Sequence, residues 1–116
     1  MSDRTTTIEE LKEAVARFVA QRDWEQFHDP KNLAMSIAIE AAELMEHVQW
    51  LRTDQVRPDA IPETGRQEMA EELADVVCFT LSFANAMDID IASAVRAKMI
   101  KNAQKYPQEK FRGRFR

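Results

Sequence analysis

Glu72-Leu73-Ala74-Asp75-Val76-Val77-Cys78-Phe79-Thr80-Leu81-Ser82-Phe83-Ala84-Asn85-Ala86-Met87 carries only one charge, Asp75, between Leu73 and Met87. It contains no glycine and no proline, and it is too long for an ordinary strand. The run predicts the heart of a helix over about 65–87, apolar on nearly all sides and therefore buried. The rest of the 116-residue chain agrees with a helical fold: it holds only two glycines and four prolines, too few for a sheet joined by many tight turns.

Outward from that helix, three more are expected. Thr6 and Thr7 stand three residues before Glu9 and Glu10, a capping-box pattern in either register. Ile8, Leu11, Val15, Phe18 and Val19 then recur at helical spacing to about Asp23. Trp24 to Lys31 reads as a connection, with Pro30 blocking helix just before it. A second helix is expected over about 32–51, with Leu33, Ile37, Leu44, Val48 and Leu51 as its apolar stripe. Thr53 to Thr64, with Pro58 and Pro62, forms the one substantial loop. Asp88 and Asp90 offer caps for a fourth helix over about 91–105, which Pro107 follows. The expectation is an all-α four-helix bundle in one domain, 1–107, followed by a basic, mobile tail at 108–116. One helix apolar all round would leave a lone bundle with wet apolar surface, so a homo-oligomer is expected.

Composition removes several function classes. A net charge of −4 gives no general attraction to nucleic acid or anionic membrane, and no apolar run approaches bilayer length. The N-terminus lacks the apolar segment of a secretory signal, and Cys78 is the only cysteine, so a cytoplasmic setting without an intrachain disulfide is expected. No glycine-rich phosphate cradle is present. Any phosphate chemistry must use metal and side chains.

The acids fall where leucines belong. At about 100° per residue, Glu40 lies within the stripe of Leu33, Ile37, Leu44 and Leu51, and Glu43 flanks it one turn on. Glu72 shares a face with Met69, Val76, Phe79 and Phe83, and Asp75 again follows one turn later. Buried carboxylates without compensation cost several kcal/mol or neutralise by a pKa shift. Acid-only oxygen ligation suits Mg²⁺, with Mn²⁺ as a substitute. By contrast Glu9, Glu10, Glu13, Glu68 and Glu71 read as solvated charges. On the fourth helix the stripe of Ile91 and Val95 continues into Lys98, Asn102 and Tyr106. Lys98 and Asn102, one turn apart, are suited to anionic oxygens.

The segments Phe27-His28-x-Pro30-Lys31-Asn32-Leu33, Glu40-x-x-Glu43-Leu44, Glu72-Leu73-x-Asp75-Val76 and Lys98-x-x-x-Asn102-x-x-x-Tyr106-Pro107 resemble the MazG-like nucleotide pyrophosphohydrolases, in the dCTP pyrophosphatase-type branch. The resemblance runs from about Trp24 to Pro107. It implies Mg²⁺ bound by Glu40, Glu43, Glu72 and Asp75, and cleavage of a (deoxy)nucleoside triphosphate to the monophosphate and pyrophosphate. dCTP or a modified or non-standard dNTP is the expected substrate. It implies a homotetramer built as a dimer of dimers, or a homodimer, with sites between subunits. Lys98, Asn102 and Tyr106 would contact phosphates or support the site, with Lys31 and Lys105 as further cations for the leaving pyrophosphate. Trp24, His28 and Trp50 would line the base pocket. Glu43 is the candidate general base.

Two departures matter. Phe79 stands where the family commonly has a tyrosine beside the base pocket, which removes a hydrogen bond to substrate. Ile39 precedes the first motif glutamate where the dUTP-cleaving branch usually carries an acid, which disfavours dUTP. Phosphoribosyl-ATP is the other rival substrate within the superfamily. From other classes, a di-iron or di-manganese carboxylate bundle needs Glu-x-x-His pairs on two helices, which this chain does not supply. A non-enzymatic helical interaction module would leave the inward acids without a role.

Overall fold

The computed structural model describes residues 1–114. All regular structure among them is helical: α1 Ile8–Gln21, α2 Pro30–Glu46, α3 Glu63–Ala86, α4 Ile91–Lys105 and α5 Gln108–Phe111, with 3₁₀ turns at Glu25–Phe27 and Thr53–Gln55. Phe115 and Arg116, the end of the expected basic tail, lie outside the described residues.

Local chemistry sets most boundaries. The Thr7 side chain accepts the Glu10 amide at the start of α1, so the second of the two capping registers is used. Pro30, expected to hold the chain out of helix, instead occupies the first turn of α2, where its missing N–H costs nothing. Asp29 caps that helix by accepting from the Asn32 amide at 2.9 Å. α2 stops at Glu46 rather than near Leu51. Beyond it the chain tightens into successive turns, with the Val48 amide donating to the Met45 carbonyl and the Leu51 amide to Val48. That rewinding breaks the expected stripe and leaves Trp50 87% exposed.

α3 packs chiefly on α2 and secondly on α1. Leu33, Val19, Leu81, Ala84 and Ser82 are buried where the three helices meet. The α1 contact is pinned at one end, where Lys12 Nζ donates to the Ile89 carbonyl and Asn85 Nδ2 donates to the Lys12 carbonyl. α1 and α3 both close with an aspartate in the left-handed region, Asp23 at φ 53° and Asp88 at φ 52°. The following amides reach back five residues, Trp24 to the Val19 carbonyl and Ile89 to Ala84, which satisfies the terminal carbonyls.

Two expectations about burial change. α3 is not enclosed within its own chain, since Leu73, Val77 and Met87 are all exposed. α4 turns away from α3 by 100° and makes no substantial packing with the other helices, leaving Val95, Met99 and Ile100 in solvent. A bundle of α1 to α3 with a projecting α4 therefore describes the single chain. Its radius of gyration is 17.2 Å, against about 13 Å for a compact chain of this length. Its accessible surface is 9589 Å², against roughly 6,500 Å² for a monomer of this mass. No single helix among the described residues is long and apolar enough to cross a membrane.

Candidate metal centre and adjoining cleft

The α2–α3 contact brings the acid pairs face to face. Glu40, Glu43 and Glu72 offer carboxylate oxygens that all lie within 4.8 Å of one another, and each side chain is partly withdrawn from solvent. Asp75 stands at the edge of this group rather than inside it. It is exposed, yet near enough for its charge to act on both Glu40 and Glu72. Helix geometry explains the convergence: one turn separates the members of each pair, so two packed helices present both pairs along a common seam.

The electrostatics record the crowding. Glu40 is raised to about 7, first by its hydrogen-bonded contact with Glu43, then by burial, then by the charges of Glu43, Asp75 and Glu72. Glu72 is also raised, mainly by burial and then by Glu43; His47 acts in the opposite sense. Glu40 Oε2 and Glu72 Oε2 are buried with no hydrogen-bond donor. None of Lys31, Lys98 and Lys105 forms an ion pair with these acids. A cluster of hard oxygen donors with buried, undonated lone pairs fits a divalent cation, which would satisfy the oxygens and offset the mutual repulsion.

Asp75 also borders a cleft of about 700 Å³ between α1 and α3. Trp24, His28 and Phe79 share its wall with Phe18 and Ser82. The rings form a chain: Phe18 to Trp24 with centroids 5.8 Å apart, Trp24 to His28 at 6.4 Å and His28 to Phe79 at 6.2 Å. His28 Nδ1 is buried without a partner, a free polar atom on an otherwise apolar surface. Three of the four residues expected at a base pocket thus come together beside the acids. Trp50 does not join them within this chain. Cys78 is exposed beside them; partial burial of its thiol and then the charge of Asp75 raise its pKa.

The residues expected at phosphates are placed elsewhere in the single chain. Lys98, Asn102 and Lys105 lie exposed on projecting α4, and Lys31 is exposed on the first turn of α2. Tyr106 packs edge-on against Phe111 at 5.2 Å, with Lys105 Nζ 5.3 Å from its ring. α5 thereby folds part of the expected tail back onto the end of α4.

Two site residues escaped the sequence reading. His47 directs Nε2 to Glu72 Oε1 at 3.8 Å and Nδ1 to Glu68 Oε2 at 3.9 Å. The signal was present in the spacing, because Glu40, Glu43 and His47 recur on successive turns of one face. The chain's one Glu-x-x-His spacing, Glu25 to His28, falls on a 3₁₀ turn and not on a helix of the acid seam, which leaves the di-iron pattern without support.

Comparison with known proteins agrees with this architecture. The sequence profile of the MazG-like family matches residues 35–114. A mouse protein named dCTP pyrophosphatase 1 is 39% identical over 107 residues, covering 92% of this chain and 63% of the relative. The human protein of that name is 37% identical over 101 residues, covering 87% and 59%. The chain therefore spans less than two thirds of the length of these curated relatives. The crystal structure of a pyrophosphatase from Archaeoglobus fulgidus superposes with a TM-score of 0.79 at 38% identity, over 92% of this chain and 98% of that one.

Proposed function

Because the chain belongs to the MazG-like family, we propose that it hydrolyses a (deoxy)nucleoside triphosphate to the monophosphate and pyrophosphate, using a divalent cation. The single observation that carries this is the acid seam, Glu40, Glu43 and Glu72 within 4.8 Å, opening beside an aromatic cleft large enough for a nucleoside. The names of the relatives favour dCTP over dUTP or phosphoribosyl-ATP.

Glu40, Glu43, Glu72 and Asp75 would hold Mg²⁺, or Mn²⁺ in its place. Bound there, the ion supplies charge neutralisation and polarisation of phosphate oxygens. The chain's own groups do the rest. Trp24 and Phe79 sandwich or flank the base, and His28 offers its unpaired Nδ1 to a polar edge. Asp75, at the border of cleft and seam, fixes where the triphosphate must enter. Glu43 takes the proton of a water whose oxygen attacks the α-phosphorus in line; the bond to the bridging α–β oxygen breaks and pyrophosphate departs. Lys98, Asn102 and Tyr106, with Lys31 and Lys105, receive the charge of the leaving group.

α4 stands away from the acids of its own chain, so its basic groups reach a site only across a subunit boundary. The large surface and the bare apolar face of α4 support a homo-oligomer, a tetramer or dimer. The test is a panel of NTPs and dNTPs with Mg²⁺, resolved for products. Monophosphate with equimolar pyrophosphate is expected, fastest with dCTP or a modified relative. Orthophosphate without pyrophosphate would refute the cleavage position.

A further inference from the structure

We propose that Ser82 is a specificity residue of the cleft, its hydroxyl reading the exocyclic amino group of the substrate's base. This rests on the cytosine-nucleotide reading given above and deepens it. Ser82 is only 8% exposed, the one buried polar side chain among the described residues. A serine inside a helix has the carbonyl four residues back within reach of its hydroxyl. Thr80 uses that outlet, donating to the Val76 carbonyl at 2.7 Å. Ser82 forms no hydrogen bond with any described residue. It lines the cleft between α1 and α3 instead. A buried hydroxyl without a partner costs stability, and a ligand that supplies the partner recovers it.

The position along α3 says which part of a nucleotide that is. Asp75, Phe79 and Ser82 fall at i, i+4 and i+7, so they share one stripe of the helix, and all three line the cleft. Asp75 borders the acid seam. Phe79 lies one turn on, its ring 6.2 Å from that of His28. Ser82 lies a further turn on, about 10.5 Å along the axis from Asp75 at about 1.5 Å per residue. A nucleotide with its phosphates at the seam and its base against Phe79 turns the far edge of that base toward Ser82. The surroundings also change there. His28 and Ser82 both line a second cavity, of about 330 Å³, shared with Glu25 and Asn85. The apolar cleft therefore meets a polar boundary at this end, with His28 Nδ1 and the Ser82 hydroxyl both unpartnered. A hydroxyl accepts as well as donates, so Ser82 Oγ can take a hydrogen of the cytosine 4-amino group. Apolar walls discriminate weakly between rings of one size, whereas a buried hydrogen-bonding group rejects a base that leaves it unpaired.

The test measures kcat and KM of the full chain with Mg²⁺ on two substrates: dCTP, and the triphosphate of 2-pyrimidinone deoxyriboside, which is dCTP without its 4-amino group. Wild type should prefer dCTP at least about tenfold in kcat/KM. Ser82→Ala should lower kcat/KM for dCTP at least about tenfold and change the analogue less than about threefold. The loss should lie mainly in KM, since a contact at the base is made alike in ground and transition states. The melting temperature of Ser82→Ala should equal or exceed that of wild type, because no hydrogen bond within the chain is lost and alanine favours helix. An equal fall on both substrates, or a lowered melting temperature accompanying the fall, makes Ser82 structural and overturns the assignment. A wild type that hydrolyses dCTP without preference, or a Ser82→Ala enzyme that keeps the preference, overturns it and leaves the proposed hydrolysis standing. A wild type that hydrolyses neither substrate refutes both readings together.

Discussion

Glu40 concentrates the cost of bringing acids together. Its carboxyl is raised from the ordinary 4.5 to about 7, most by the contact with Glu43, then by burial and neighbouring charge. In the metal-free protein the folded state therefore keeps a proton that the unfolded state has already released. That contribution to stability is complete below about pH 4.5 and is lost as pH rises to about 7. Metal-free protein should accordingly melt at a lower temperature at pH 8 than at pH 5.5, apart from titrations elsewhere in the chain. Saturating Mg²⁺ should raise the pH 8 melting temperature more than the pH 5.5 one, since protons and metal compete for the same oxygens. Scanning fluorimetry with and without chelator checks this, and a metal increment independent of pH would contradict it. The acids were legible in the sequence because charge on an apolar helical face has few explanations. His47 and Glu68 were not, because a histidine at the end of a helix and a glutamate on its outer face each look ordinary until the two helices are docked.

At the scale of elements, the helix ends show what a single sequence conveys and what it withholds. α1 was legible from Thr7 and the period of Ile8 to Val19, and α4 from Ile91 to Lys105 was placed to the residue. The C-terminal end of α2 was not, because the apolar period of Val48 and Leu51 persists while the backbone winds into turns. Pro30 misled for a definable reason: proline is excluded from a helix interior but welcome in its first turn. The aspartates that close α1 and α3 adopt a backbone region that costs a side chain roughly 1–2 kcal/mol and glycine very little. Asp88→Gly should therefore stabilise the fold by about 0.5–1 kcal/mol, after the greater freedom of glycine in the unfolded chain is subtracted. Chemical denaturation would show a higher midpoint with an unchanged slope. A lower midpoint would mean that the Asp88 side chain supports the turn in a way its hydrogen bonds do not reveal.

The whole molecule carries the clearest sign of missing company. A chain exposing about 3,000 Å² more than a monomer of its mass should, with Val95, Met99 and Ile100 bare on one projecting helix, bury that excess against copies of itself. Sedimentation should give a species of two or four times the 13.4 kDa chain mass at micromolar concentration. Val95→Asp with Met99→Asp should shift it to smaller species and depress turnover at least about tenfold, because Lys98 and Asn102 would no longer be delivered to a site. A monodisperse wild-type monomer would contradict this. The sequence pointed to such an assembly from the apolar length of α3, but it placed α4 in the bundle. Periodicity states which face is apolar and is silent on whose surface covers it.

The acids of α2 and α3 acting on a nucleotide through a divalent ion remain the centre of the account. The most direct measurement follows dCTP turnover in protein stripped by chelator, before and after Mg²⁺ is restored, in wild type and in Glu72→Gln. Wild type should fall to background and recover fully, while Glu72→Gln should stay at least about 100-fold down at any practical Mg²⁺ concentration. Turnover that persists in chelator, or a Glu72→Gln enzyme that recovers like wild type, would contradict it.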